Sequence, residues 1–201
     1  MSYLHDYMGM LGCLLFLIAL PLTVLKQPRY NRKTITIAIF MMMGLAVLPI
    51  NGLSLLAYVR AVLADLSITS MILLCLMIAS SYSGQRYVRT RSYHQLQNHI
   101  LLAALILYPL GLGLTPYDTY AAGYGSLALL GLLVVVAGHL LWQRTYFVLG
   151  LLLIAISAYL LGILQSNNLW DYMLDPWLVI VVISSRGKWL VRKIAGHTAS
   201  H

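Results

Sequence analysis

The chain contains no glutamate; its five acidic residues are all aspartate. It has two cysteines in 201 residues, Cys13 and Cys75. Both lie in apolar stretches and form neither a CxxC nor a metal set, so they are expected to pack as small apolar residues. No nucleophile elbow, phosphate loop or dinucleotide fingerprint occurs. No spacing matches a dedicated metal motif such as HExxH. Charged residues make up only 9% of the chain, against about 25% in a soluble domain.

Leu, Ile, Val, Met and Ala take the place of the missing charge. The chain is 61% hydrophobic, with mean hydropathy +0.84. The formal charge of +8 might suggest nucleic acid, but the basic residues flank apolar runs and build no basic face. The N-terminus carries His5 and Asp6 where a positive leader would stand, and no small-residue cleavage site follows Leu25. The first apolar run therefore reads as a retained span.

A span needs about 20 apolar residues, with 17 to 25 tolerated. Runs of that kind cover roughly 8–25, 34–50, 66–82, 100–114, 126–142 and 146–164. A seventh, 176–185, is short. Residues 53–64 are too few to cross and carry Arg60, which predicts a short interfacial helix. Asp65 is placed to cap the span that follows.

Twelve of the thirteen Lys and Arg residues fall in the gaps after spans one, three and five and in the tail. The positive-inside rule puts those gaps in the cytoplasm. All five aspartates then lie outside, with Arg60 as the one outer cation. The expectation is an all-α, polytopic transmembrane helix bundle of six to seven crossings, N-out and C-in. It forms a single domain over residues 1–201, in a bacterial inner membrane. There is no internal repeat and no linker.

The seventh run is ten residues, about 15 Å of helix, while the hydrocarbon core is about 30 Å thick. Asp175 and Pro176 make a good helix start, as N-cap and N1. Either the helix continues from Leu169 through Asp171 and Asp175, or it begins at Asp175 below the outer surface. Local thinning of the bilayer, with both aspartates among headgroups, is the third possibility.

Ionisable groups at membrane depth mark candidate sites. On one helix Asp171 and Asp175 would share a face, and like charges side by side raise one pKa. Asp65 and Asp118, or His5 and Asp6, could join them. Arg60, Asp65, Asp171 and Asp175 form the preferred cluster, with the aspartates as catalytic candidates. The opposing reading makes Asp65 and Asp175 caps and puts Asp118 in a solvated turn. Arg60 could instead bind a phosphate or snorkel to the interface. Tyr58, Tyr117, Tyr172 and Trp170 could line a lipid or glycan groove with Asp118, or form an aromatic belt.

His139 has no second intramembrane histidine for a bis-His haem, so a hydrogen-bonded packing role is expected. Gly131 and Gly138 suggest close helix packing. Arg186, Lys188, Trp189, Arg192 and Lys193 are expected to lie along the cytoplasmic leaflet as an anchor.

Three functions fit these residues. The first is an accessory or scaffold subunit of an envelope-facing membrane complex. The second is a membrane-embedded enzyme acting on a lipid-linked substrate at the outer leaflet. The third is a proton- or cation-coupled transporter with its site at the Asp171/Asp175 helix break. Membrane lipids and another membrane protein are the expected partners, nucleic acid is not, and no cofactor can be named from the residues.

Overall fold

The computed structural model describes residues 2–24, 31–113 and 118–198, with side chains in the last helix as far as Val191. Lys26, Arg29, Tyr117 and the side chains of Arg192 and Lys193 lie outside the described residues. The described residues form an all-helical fold: α1 (Ser2–Val24), α2 (Arg32–Ala46), α3 (Leu55–Leu63), α4 (Ile68–Ser83), α5 (Thr90–Gly111), α6 (Leu127–Trp142), α7 (Tyr146–Leu160), α8 (Leu169–Met173) and α9 (Pro176–Thr198). A two-residue antiparallel ladder, Pro49–Ile50 (β1) on Leu53–Ser54 (β2), precedes α3.

Among the described residues one helix, over Tyr3–Thr23, is long and apolar enough to cross a membrane. Ile68–Ser83, Leu127–Trp142 and Tyr146–Leu160 are shorter apolar helices. Sixteen residues, as in α4, give about 24 Å of helix.

Helix ends follow local chemistry. Asn31 caps α2, Ser54 caps α3 and Ser67 caps α4, each by a side-chain oxygen that accepts an N–H of the first turn. Gly84 ends α4 in the left-handed region. Asn51-Gly52, with φ of 49° and 87°, makes the tight hairpin turn that the Asn-Gly pair favours.

Two boundaries differ most from the sequence reading. α5 starts at Thr90, ten residues before the apolar run, because its polar first half faces another helix and not hydrocarbon. There Gln97, 1% exposed, donates to Ser185 at 3.1 Å. Arg186 of α9 donates to the His94 carbonyl at 2.9 Å and to the Asn98 side chain. For the same reason α9 does not stop at Ser185: it runs unbroken for 23 residues. The basic tail is thus the end of the last helix, and no separate segment.

The largest buried cluster joins α5, α6, α7 and α9 through residues such as Ile100, Leu133, Leu149 and Val182. A second joins the start of α4 to α7 and Tyr172, and a third joins α1 to α2. Apolar side chains also cover the outside: Leu105, Leu127, Val134 and Ile183 are each more than half exposed. Gly131 and Gly138 face open space, which corrects the close packing expected there. α6 leans chiefly on α7, and neither glycine faces that contact.

Candidate functional site

Four of the five aspartates assigned to the outer side sit in three arrangements, built on different helix ends.

The first centres on Arg60, in the last turn of α3. Its Nε and Nη2 donate to the two carboxylate oxygens of Asp65 at 2.8 and 3.3 Å, and its Nη1 donates to Asp6 at 3.0 Å. A bidentate fork of this kind is the strong form of the ion pair. The hydrogen bond that Arg60 donates to Asp65 is the main reason that the guanidinium pKa is raised. Gly9 of α1 packs under the pair: a Cβ there would collide with Asp65 Oδ1 and the Arg60 guanidinium. Because Arg60 takes its carboxylate, Asp65 does not cap α4. Ser67 does so, two residues later.

The second centres on Asp175, 6% exposed. Its Oδ1 accepts the Leu178 N–H at 2.8 Å and so caps α9, as its position before Pro176 implied. Its Oδ2 accepts the Ser67 N–H at 3.1 Å, the Ser67 hydroxyl at 2.6 Å and the Ser70 hydroxyl. One carboxylate thus closes the N-termini of α4 and α9, where both helix dipoles favour negative charge.

The third holds Asp171, in the first turn of α8. The Tyr120 hydroxyl lies 3.0 Å from each of its oxygens, and the Ser166 hydroxyl also donates to it. Asp171, Tyr120 and Tyr108 line a cavity of about 280 Å³, with Leu107, Leu174 and Pro176 among its apolar walls. Burial, then the charge of Asp171, raises the Tyr120 pKa, so this phenol stays a neutral donor to the carboxylate.

Asp171 and Asp175 do not share a helix face. α8 ends at Met173, and Leu174 is extended (φ −145°, ψ 137°), so each carboxylate takes its own partners. Nor do Arg60, Asp65, Asp171 and Asp175 form one hydrogen-bonded cluster.

The remaining candidates are placed as follows. Asp118 accepts the Tyr120 and Ala121 N–H groups at 2.9 and 3.1 Å and holds a 3-10 turn, Ala121–Gly123. The Tyr58 hydroxyl donates to the Ile50 carbonyl at 3.2 Å. Trp170 and Tyr172 are core residues; Trp170 also borders an apolar cleft, whereas Tyr172 lines no groove. Trp170 donates to the Thr119 carbonyl at 2.9 Å. Tyr172 is fully buried, accepts the Leu164 N–H at 3.0 Å and stacks edge-on against Tyr159. Burial raises its pKa. Arg186 is engaged with α5, and the Trp189 ring lies 6.5 Å from that of His94. Lys188 is exposed.

Ser67, Ser70, Tyr120, Ser166 and Asn168 are the partners that the charge pattern did not single out. The signal for Ser67 was available: a serine directly before an apolar run, with a second serine three residues on, marks an N-terminus. Among the described residues, no group of three His, Cys, Asp or Glu side chains could hold a metal. No family model matches the chain, and no curated protein and no solved structure matches it either.

Proposed function

We propose that this is a seven-crossing inner-membrane protein, N-out and C-in, that acts as an accessory or scaffold subunit of an envelope-facing complex. One observation supports the topology above others. The long-range polar side-chain contacts join residues that the positive-inside rule puts on the same side. Asp6–Arg60, Ser67–Asp175, Tyr120–Asp171 and Trp177–Leu63 are outer pairs. Gln97–Ser185 and Arg186–His94 are cytoplasmic pairs. Between the two layers the exposed side chains are apolar, as hydrocarbon requires. The short spans then rely on tilt-free crossing or a locally thin bilayer.

The scaffold role is supported by how the aspartates are used. Asp65, Asp118 and Asp175 are occupied by an ion pair, a turn and two helix ends, which are structural tasks. The test is a mild-detergent pull-down of the protein beside its Asp171→Asn/Asp175→Asn double variant. A stoichiometric larger partner with both forms is expected. A protein recovered alone, whose well-folded double variant loses a bound lipid or cation, would overturn the reading.

A second reading, an enzyme acting on a lipid-linked substrate, draws on Asp171, the aspartate that faces the 280 Å³ cavity with Tyr108 and Tyr120. It requires that Asp171→Asn abolish turnover while the melting temperature is kept. The transporter reading asked for two carboxylates in one site, and the separate partners of Asp171 and Asp175 do not favour it.

A further inference from the structure

α5 and α6 both lean on α7 and leave a cleft of about 680 Å³ between them. That volume lies within the range of ligand sites. Its walls are apolar: Ile100, Ala103 and Ile106 on one side, Leu132, Val136 and Leu140 on the other. From Ala128 to Leu140 the α6 wall extends about 18 Å at 1.5 Å per residue, more than half the depth of a hydrocarbon core.

The two ends differ in kind. The outer end is roofed by Thr119, Ala122 and Trp170. This roof is pinned: Trp170 donates to the Thr119 carbonyl, Thr119 to the Leu107 carbonyl and Asn168 to the Tyr120 carbonyl, at 2.9, 3.2 and 2.9 Å. Gly123 lets Asn168 and Trp170 close over it, since a Cβ there would collide with both. The other end is polar. His99 and His139 line it, and Arg144, exposed, stands in the turn after α6. His99 Nδ1 lies 2.7 Å from the Gln95 carbonyl. A carbonyl only accepts, so Nδ1 carries the proton and the lone pair on Nε2 faces a headgroup hydroxyl as an acceptor. Trp142, 86% exposed, stands beside this mouth, as a tryptophan does at a membrane interface.

We infer that the cleft between α5 and α6 binds the acyl chains of an anionic phospholipid from the cytoplasmic leaflet, with the phosphate facing Arg144 and a headgroup hydroxyl facing His99, while His139 Nε2 is held by the Gln143 side chain at 2.9 Å. A crossing helix from a partner would have to leave through both ends, and the roof closes one. Leu102, Ile106, Leu132 and Val135 leave the long side of the cleft open to hydrocarbon, so acyl chains can lie along it, and the end away from the roof offers the positive charge of Arg144. The inference rests on the membrane topology proposed above, not on the scaffold role.

The test uses the full chain in detergent micelles, with Trp142, Trp177 and Trp189 replaced by Phe so that Trp170 reports from the roof of the cleft. Phosphatidylglycerol with brominated acyl chains should quench Trp170 saturably, and roughly fivefold more tightly than brominated phosphatidylcholine, the effect of about one basic residue at a leaflet surface. Arg144→Gln/His99→Gln, altered at the mouth alone, should remove the preference and keep the quenching. Ala103→Phe/Val136→Phe, which fills the cleft, should remove the quenching at an unchanged melting temperature. No quenching, or quenching that the filled cleft leaves intact, overturns the site. So does a crosslink from Val135→Cys to a co-purifying protein in place of lipid. A Gln143→Cys label reached only from the outer side would overturn the topology as well, and so separates the two failures.

Discussion

Ser67 and Asp175 are 108 residues apart, and Ser67 donates both its N–H and its hydroxyl to one carboxylate oxygen of Asp175. Two helices are thereby joined at their N-terminal ends by a single buried anion. Removing one partner of a buried, hydrogen-bonded charge is expensive, because the other groups lose their compensation. Asp175→Ala is expected to cost about 3 kcal/mol or more, and Ser67→Ala about 1–2 kcal/mol through the lost cap. The two losses should be strongly non-additive. Thermal unfolding of the single and double variants in one detergent measures this; additive losses would show that the brace is not shared.

Gly9 should show a reversal of sign. Alone, Gly9→Ala pushes against Asp65 and Arg60 and is expected to destabilise, by no more than the roughly 1 kcal/mol that a partly exposed pair contributes. In an Arg60→Ala/Asp65→Ala background the obstacle is gone. The same change should then stabilise, because alanine is favoured over glycine within a helix by about 1 kcal/mol. Melting temperatures of the four proteins decide it, and the same sign in both backgrounds counts against the contact.

Alkaline pH should weaken the packing around Asp171 through Tyr120. Its pKa is raised in the fold from the ordinary 10.0, by burial first and by Asp171 second. A phenol with a raised folded pKa binds more protons when native than when unfolded. Its contribution is therefore whole below about pH 10, the unfolded value, and declines as pH climbs above that toward the folded value. Tyr120→Phe is expected to unfold with a shallower pH dependence above pH 10. An unchanged alkaline slope would mean that the phenol does not titrate with unfolding.

Topology is open to a direct measurement. Cysteines placed at Tyr3 and at Lys188, in a background with Cys13 and Cys75 replaced by Ala, should be labelled by a membrane-impermeant maleimide from opposite sides. Tyr3→Cys should react in intact cells, and Lys188→Cys only after the membrane is opened. Labelling of both from one side would exclude an odd number of crossings.

Much of the helical pattern was legible because apolar runs and their breakers are local signals. α3 and the start of α9 at Pro176 both follow from residues a few positions apart. α5 was misjudged by ten residues. His94, Gln97 and Asn98 look solvent-facing in sequence, yet they bind Ser185 and Arg186 of α9. Asp65 was read as a cap because nothing local announces that Arg60, five residues earlier, takes its carboxylate. The shared face of Asp171 and Asp175 failed on one residue, Leu174, whose extended backbone turns the chain between them.

Composition and charge spacing by themselves determined that the chain is helical, and they divided its polar residues into two groups. Helix formation and charge distribution depend on neighbours in sequence, so a single chain displays them. Which carboxylate braces, which faces a cavity and which cleft stays open between α5 and α6 were decided by tertiary structure alone. Those outcomes depend on pairs such as Ser67–Asp175 and Thr119–Trp170, whose energies arise only when packing brings distant hydrogen-bonding groups together and removes competing solvent.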